Sequence, residues 1–180
     1  LRWLIEQCHK NGIVLQLHFG TFRNINSGAF SSVGADAGFD VFRASVDTDA
    51  LAKILDEELQ RLGGLPQIVL YPLNDNSLRA LAAISGAFPN VLIGAAWWFN
   101  DTVCGIRRQM ETVSEYAAFG TQLGMLTDSR SFSSYVRFDF YRRLLADFIA
   151  EKVDAGEYDE NSAASLAADV AYNNVRRLIY

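Results

Sequence analysis

Cysteine is scarce in this chain. Cys8 and Cys104 are the only two among 180 residues, too few for a disulfide framework and too far apart to hold zinc through closely spaced thiolates. A reducing cytoplasm is the expected compartment. No stretch of about 20 apolar residues is present and nothing has the order of a secretory signal, so no membrane association is expected. Clustered positive charge is missing too. The formal net charge is -5 and the pI near 5.0, whereas nucleic-acid binders carry a basic face. The pairs Arg107–Arg108, Arg142–Arg143 and Arg176–Arg177 fall in helix-like segments and read as solvated helix faces. Glycine-rich phosphate fingerprints are absent, which argues against a nucleotide cofactor, and Ser129 and Ser131 lack the G-x-S-x-G elbow of a serine nucleophile. Neither an internal repeat nor a low-complexity linker is visible.

What is present is apolar material for one domain with a sizeable core: half the residues are hydrophobic and 12% are aromatic. The opening LRWLIEQCHKNG places Leu1, Leu4, Ile5 and Cys8 on one helical face and ends in Gly12, a left-handed cap position. A chain that starts within a helix and without methionine is expected to be the later part of a longer polypeptide. Four apolar runs follow, IVLQLHFG, QIVLYPLN, NVLIGAAWWFND and GTQLGML, each with the length of a buried strand. Helices are predicted between them: one through Leu51, Ile54, Leu55, Leu59 and Leu62 stopped by Gly63, one over 77–88, and one over 106–119. Alternating strands and helices imply a parallel sheet with right-handed crossovers over residues 1–133. From Thr21 to about Val46 the chain reads as an irregular loop of unusual length, and such loops are commonly functional. Residues 134–180 read as closing helices on the same domain, with a polar turn at DENS. Four βα units fit a small open sheet or one half of an eightfold barrel.

Each of the four runs hands over to polar or aromatic residues, and in a parallel α/β protein the carboxyl ends of the strands are where ligands bind. His18 follows the first run with Arg23 and Asn24 close behind, Asn74 to Asn76 follow the second, Trp97 to Asp101 the third, and Asp128 with Arg130 the fourth. His18 is suited to acid, base or ligand duty near neutrality, with a hydrogen-bonded strand-end histidine as the plain alternative; His9, before the cap, reads as a surface residue. Asp128 is suited to hold a divalent cation or shuttle a proton, against the competing role of capping the next helix. Arg130, two residues on, tips that balance, because its planar fork matches a carboxylate in two hydrogen bonds; Arg23 could act in the same way from the first loop. Of Trp97 and Trp98, one is expected on a pocket wall.

The strings LHFGTFRN, the GFD of the long loop, WWFND, GMLTDSRSFSSY, the RR of FYRRLL and the late NN pair resemble, in this order through nearly all 180 residues, the C-terminal half of uronate isomerases, members of the amidohydrolase superfamily. The resemblance implies a distorted (β/α)8 TIM-like barrel in which this chain supplies strands five to eight and the closing helices. It implies interconversion of D-glucuronate with D-fructuronate and of D-galacturonate with D-tagaturonate, a homo-oligomer, and a missing N-terminal half of the barrel. Asp128 matches the aspartate that binds the divalent metal, often zinc, and takes part in proton transfer. Arg130 matches the arginine beside the sugar acid, His18 the histidine after strand five, Trp98 a pocket tryptophan, and Arg23 a further substrate-binding position. Two departures stand out: the family's H-x-H metal pair is not found, and Phe138 occupies a position where many relatives carry histidine. Other readings weighed are a mononuclear metal-dependent hydrolase of the same superfamily and a non-catalytic half-barrel that binds a sugar acid.

Overall fold

A computed structural model describes all 180 residues, Leu1–Tyr180. In chain order the elements are α1 (Arg2–Asn11), β1 (Leu15–Phe19), β2 (Thr21–Phe22), α2 (Ser27–Val33), β3 (Val41–Phe42), α3 (Thr48–Leu62), β4 (Ile68–Pro72), α4 (Asp75–Ala87), β5 (Val91–Ile93), α5 (Val103–Tyr116), α6 (Val136–Asp154), α7 (Glu160–Ala168) and α8 (Asn174–Ile179). The helix signals act as expected. Gly12 closes α1 at φ 63°, a left-handed turn that costs a residue without Cβ little, and Asp47 starts α3 by accepting from the Ala50 N–H at 2.9 Å.

Strands β1, β4 and β5 form a parallel sheet in the order β1-β4-β5. Strand β4 is buried along its whole length because both its faces are covered, the normal condition of a parallel sheet. Ile68 and Leu70 enter one core with Ile5, Leu55, Leu81 and Val113. Val69 and Tyr71, pointing the other way, enter a second core with Leu73, Trp97 and Leu123. Since side chains alternate along a strand, the register carries this division to β1: Gln16 lies beside Val69 and His18 beside Tyr71. His18 therefore belongs to the Tyr71 face of the sheet. A third core joins α5 to α6 through Ile106, Met110, Leu145 and Phe148.

Charged groups tie the helices. Glu58 is 1% exposed, and a carboxylate so deeply buried needs partners; Arg2 of α1 reaches it at 3.0 Å and Arg61 at 2.6 Å. The basic pairs prove to be helix-surface ties, with Arg107 forking Glu151 at 2.8 and 2.6 Å, Arg143 on Asp139 and Arg177 on Asp169.

Three expectations are corrected. The fourth run, GTQLGML, is not a strand: after a 3-10 turn at Phe119–Thr121 the chain runs on without ladder partners. Gly124 adopts φ 73°, and the π-helical turn Asp169–Asn173 passes so close that a Cβ at residue 124 would lie 2.6 Å from the Val170 carbonyl oxygen. The carbonyls of Gly120 and Gln122 accept from the Asn174 side chain at 2.6 and 2.8 Å in place of a strand neighbour. The long loop, second, is partly regular. It holds α2, capped by Asn26 on the Ala29 N–H, and the antiparallel pair of β2 with β3. DENS, third, is not a free turn, because Asp159 caps α7 and the helix begins at Glu160. No helix is long and apolar enough to cross a membrane.

Candidate functional site

The carboxyl ends of the sheet open into a cleft of about 650 Å³ whose wall includes Arg23, Trp98, Asp128 and Arg130. Four of the five sequence candidates thus meet in one place. His18 is one ring away from this wall: its imidazole lies 4.6 Å from the Trp97 ring, edge to face, and 4.5 Å from Tyr71, and Trp97 lines the cleft. Burial pulls the His18 imidazole below its usual pKa, while the negative charge of Asp128 pulls it back upward. Burial also raises the Tyr71 phenol to about 12, so both rings are neutral at pH 7.

The backbone around the cleft is unusual. Asn24, Asp36, Trp98 and Asp128 are the four non-glycine residues with left-handed φ, at 52°, 60°, 52° and 44°. Three of them line the cleft and the fourth neighbours Arg23. Such conformations cost energy in an L-residue and gather at functional sites. Local hydrogen bonds serve two of them: the Asp40 carboxylate accepts from the Asn24 N–H at 2.7 Å, and the Trp98 turn closes through the Asp101 N–H on the Trp98 carbonyl at 3.2 Å.

The charges divide into engaged and free. Arg23 pairs with Asp36 at 3.0 Å and Asp40 at 3.2 Å, and its guanidinium lies 4.8 Å over the Trp98 ring. Arg137 pairs with Asp101, whose side chain is 6% exposed. Asp128 and Arg130 have no ion-pair partner, and both face the cleft. The Trp97 indole N–H is a further unused group, buried on the cleft wall without an acceptor, and a buried orphan donor calls for a missing partner. An unpaired carboxylate and an unpaired guanidinium on one wall suit a small polar anion with hydroxyl groups. For a metal, Asp128 is an available ligand, but no three His, Cys, Asp or Glu side chains gather to complete a site.

Asp36, Arg137 and the Trp97 N–H were not among the sequence candidates, and Asp101 stood out only as the polar end of the third run. Asp40 lies in the GFD string, but its service to Asn24 and Arg23 needs coordinates to be seen. Arg137 sits at the start of a long helix, where one more arginine reads as solvated surface.

A family model described as glucuronate isomerase matches residues 1–179. The chain is 40% identical over 185 residues to the uronate isomerase of Oceanobacillus iheyensis, an overlap of 98% of this chain and 39% of that protein. Its fold matches the crystal structure of the uronate isomerase of Thermotoga maritima with a TM-score of 0.90 at 30% identity, covering 99% of this chain and 39% of that one. For the glucuronate isomerase of Caulobacter crescentus the TM-score is 0.89 at 33% identity, over 98% and 37%. The chain spans about 39% of the length of the curated relatives it matches.

Proposed function

Because the chain belongs to the glucuronate isomerase family, we propose that it is the C-terminal part of a uronate isomerase, an enzyme converting D-glucuronate to D-fructuronate and D-galacturonate to D-tagaturonate. In this reading β1, β4, β5 and the extended run after Thr121 take the places of strands five to eight in a (β/α)8 barrel, and the remaining strands come from the rest of the protein. The observation that carries the proposal is the pair of unpartnered charges, Asp128 and Arg130, on one cleft wall at the strand ends.

Aldose to ketose conversion removes the proton on C2, leaves an enediolate shared between O1 and O2, and returns a proton to C1. Arg130 is free to fork the substrate carboxylate, fixing the sugar by the end that does not react. Asp128 is then the group that carries the proton between the two carbons. His18, neutral because burial lowers its pKa, is the second group able to move a proton, at the sugar hydroxyls. Arg23, already held by Asp36 and Asp40, fixes Trp98 as a wall of the pocket. A divalent cation, zinc on the family resemblance, would be held by Asp128 with donors from outside this chain and would stabilise negative charge on the enediolate oxygens.

The test is an assay of the intact gene product, metal-loaded, on D-glucuronate and D-galacturonate. Turnover of at least one, lost on Asp128→Asn, is expected. Inactivity on both with metal bound would overturn the reading.

A further inference from the structure

We propose that Arg137 is a positioning residue that clamps two cleft loops together and so holds Trp98 and Asp128 in their left-handed conformations. The proposal rests on the isomerase reading above for its kinetic consequence, though not for its geometry. Arg137 stands in the first turn of α6 and lines the cleft. One arm of its guanidinium pairs with the Asp101 carboxylate, and the other donates to the Thr127 carbonyl oxygen at 3.4 Å. Asp101 ends the turn that begins at Trp98, since its own N–H closes that turn on the Trp98 carbonyl. Thr127 immediately precedes Asp128. Each strained residue is therefore one short link away from an atom that Arg137 holds.

The physical case is that both loops need an external tether. Trp98 and Asp128 sit at φ 52° and 44°, where an L-residue persists only if its surroundings over-determine it. The fourth run has no ladder bonds to fix Asp128. The Asp101 carboxylate is nearly buried and its one cationic partner is Arg137, so removing that guanidinium strands a charge in the wall of the site. Both donor arms are needed: a planar guanidinium serves two acceptors at a fixed angle, whereas a lysine ammonium on a flexible stem keeps the ion pair without the same fork. With Asp101 as counter-ion, Arg137 is not the guanidinium left over for a substrate carboxylate; Arg130 is.

The experiment compares Arg137→Ala, Arg137→Lys and Asp101→Asn in the intact gene product, reading kcat and KM for D-glucuronate and the near-ultraviolet circular dichroism of the Trp97–Trp98 pair, whose ring centroids are 5.8 Å apart. Misplacing a reacting group by about 1 Å costs on the order of 100-fold in rate. Arg137→Ala and Asp101→Asn are expected to lower kcat by about that factor, to move KM by less than about threefold, and to flatten the indole dichroism while the far-ultraviolet spectrum is kept. Arg137→Lys, which keeps the ion pair with Asp101 but not the fork to the Thr127 carbonyl, should restore the indole band and recover only part of kcat. A rise in KM at unchanged kcat would overturn the proposal by making Arg137 a direct substrate contact, and an unchanged indole band in both Arg137→Ala and Asp101→Asn would overturn it by showing that the loops need no clamp. Should Arg137→Ala fail to fold, Asp101→Asn, which keeps the side-chain shape, decides alone. Absence of uronate turnover in the parent would sink the isomerase reading, and the dichroism would still decide the clamp.

Discussion

The helix-covered side of the parallel sheet and the rim at its carboxyl end are built by opposite rules. Between α1, α3, α4 and the sheet, Ile5, Leu55, Ile68, Leu70 and Leu81 are fully or almost fully buried, and the one buried carboxylate, Glu58, is gripped by two arginines. At the rim, four non-glycine residues are left-handed, an indole N–H has no acceptor, and Asp128 and Arg130 have no counter-ions. Packing and pairing lower the energy of the first region. The second keeps strain and unspent polar capacity, the condition of a surface prepared for something it does not itself contain.

Substitutions should separate the two regions. The largest effect is expected at the rim: Asp128→Asn should reduce uronate turnover by about 10²- to 10⁴-fold, the usual share of a general acid–base group, while its unfolding free energy stays within about 0.5 kcal/mol of the parent. A matching loss of stability would mean that Asp128 is a helix cap. In the core the signs reverse. Phe148 is fully buried between Phe119 at 5.1 Å and Tyr158 at 6.5 Å, so Phe148→Ala should cost about 3–5 kcal/mol in a urea titration, with KM unchanged wherever the protein remains folded. Smaller again, Arg130→Ala should raise KM about 10- to 100-fold, the worth of charge-assisted hydrogen bonds to a carboxylate. Arg23→Ala, whose guanidinium is already engaged, should change KM far less, and equal effects of the two substitutions would erase the distinction between free and engaged arginines.

The smallest effect tests Tyr71, which joins the two regions. Its folded-state pKa is raised by burial from 10.0 to about 12, so the contribution of the neutral phenol is fully present below the unfolded value and is lost as pH rises from about 10 through about 12. Thermal melts across that window should fall more steeply for the parent than for Tyr71→Phe. Parallel curves would show that this phenol is not the titrating group.

Legibility in the sequence follows the same division. Helices and the three strands of the parallel sheet announce themselves through apolar runs and caps such as Gly12 and Asp47, because burial and capping are local or periodic demands. The run at Gly120–Leu126 misled because its apolar content is that of a strand. What prevents a ladder is the left-handed Gly124 beneath the Val170 carbonyl and the side chain of Asn174, contacts from about fifty residues further along the chain. Asp128, Arg130, Trp98 and Arg23 could be picked out because polar residues after apolar runs converge at one end of a parallel sheet. Arg137 could not, and Asp101 showed only as the polar end of the third run, since their pairing joins two segments that the sequence keeps apart.

The most direct test of this account is a crystal structure of the intact gene product with a divalent metal and a sugar acid that cannot be turned over. The expected result is the sugar carboxylate forked by Arg130 with the Asp128 carboxylate on the metal, inside the cleft walled by Trp98. A sugar acid bound elsewhere, with Asp128 turned to cap a helix and Arg130 in solvent, would contradict it.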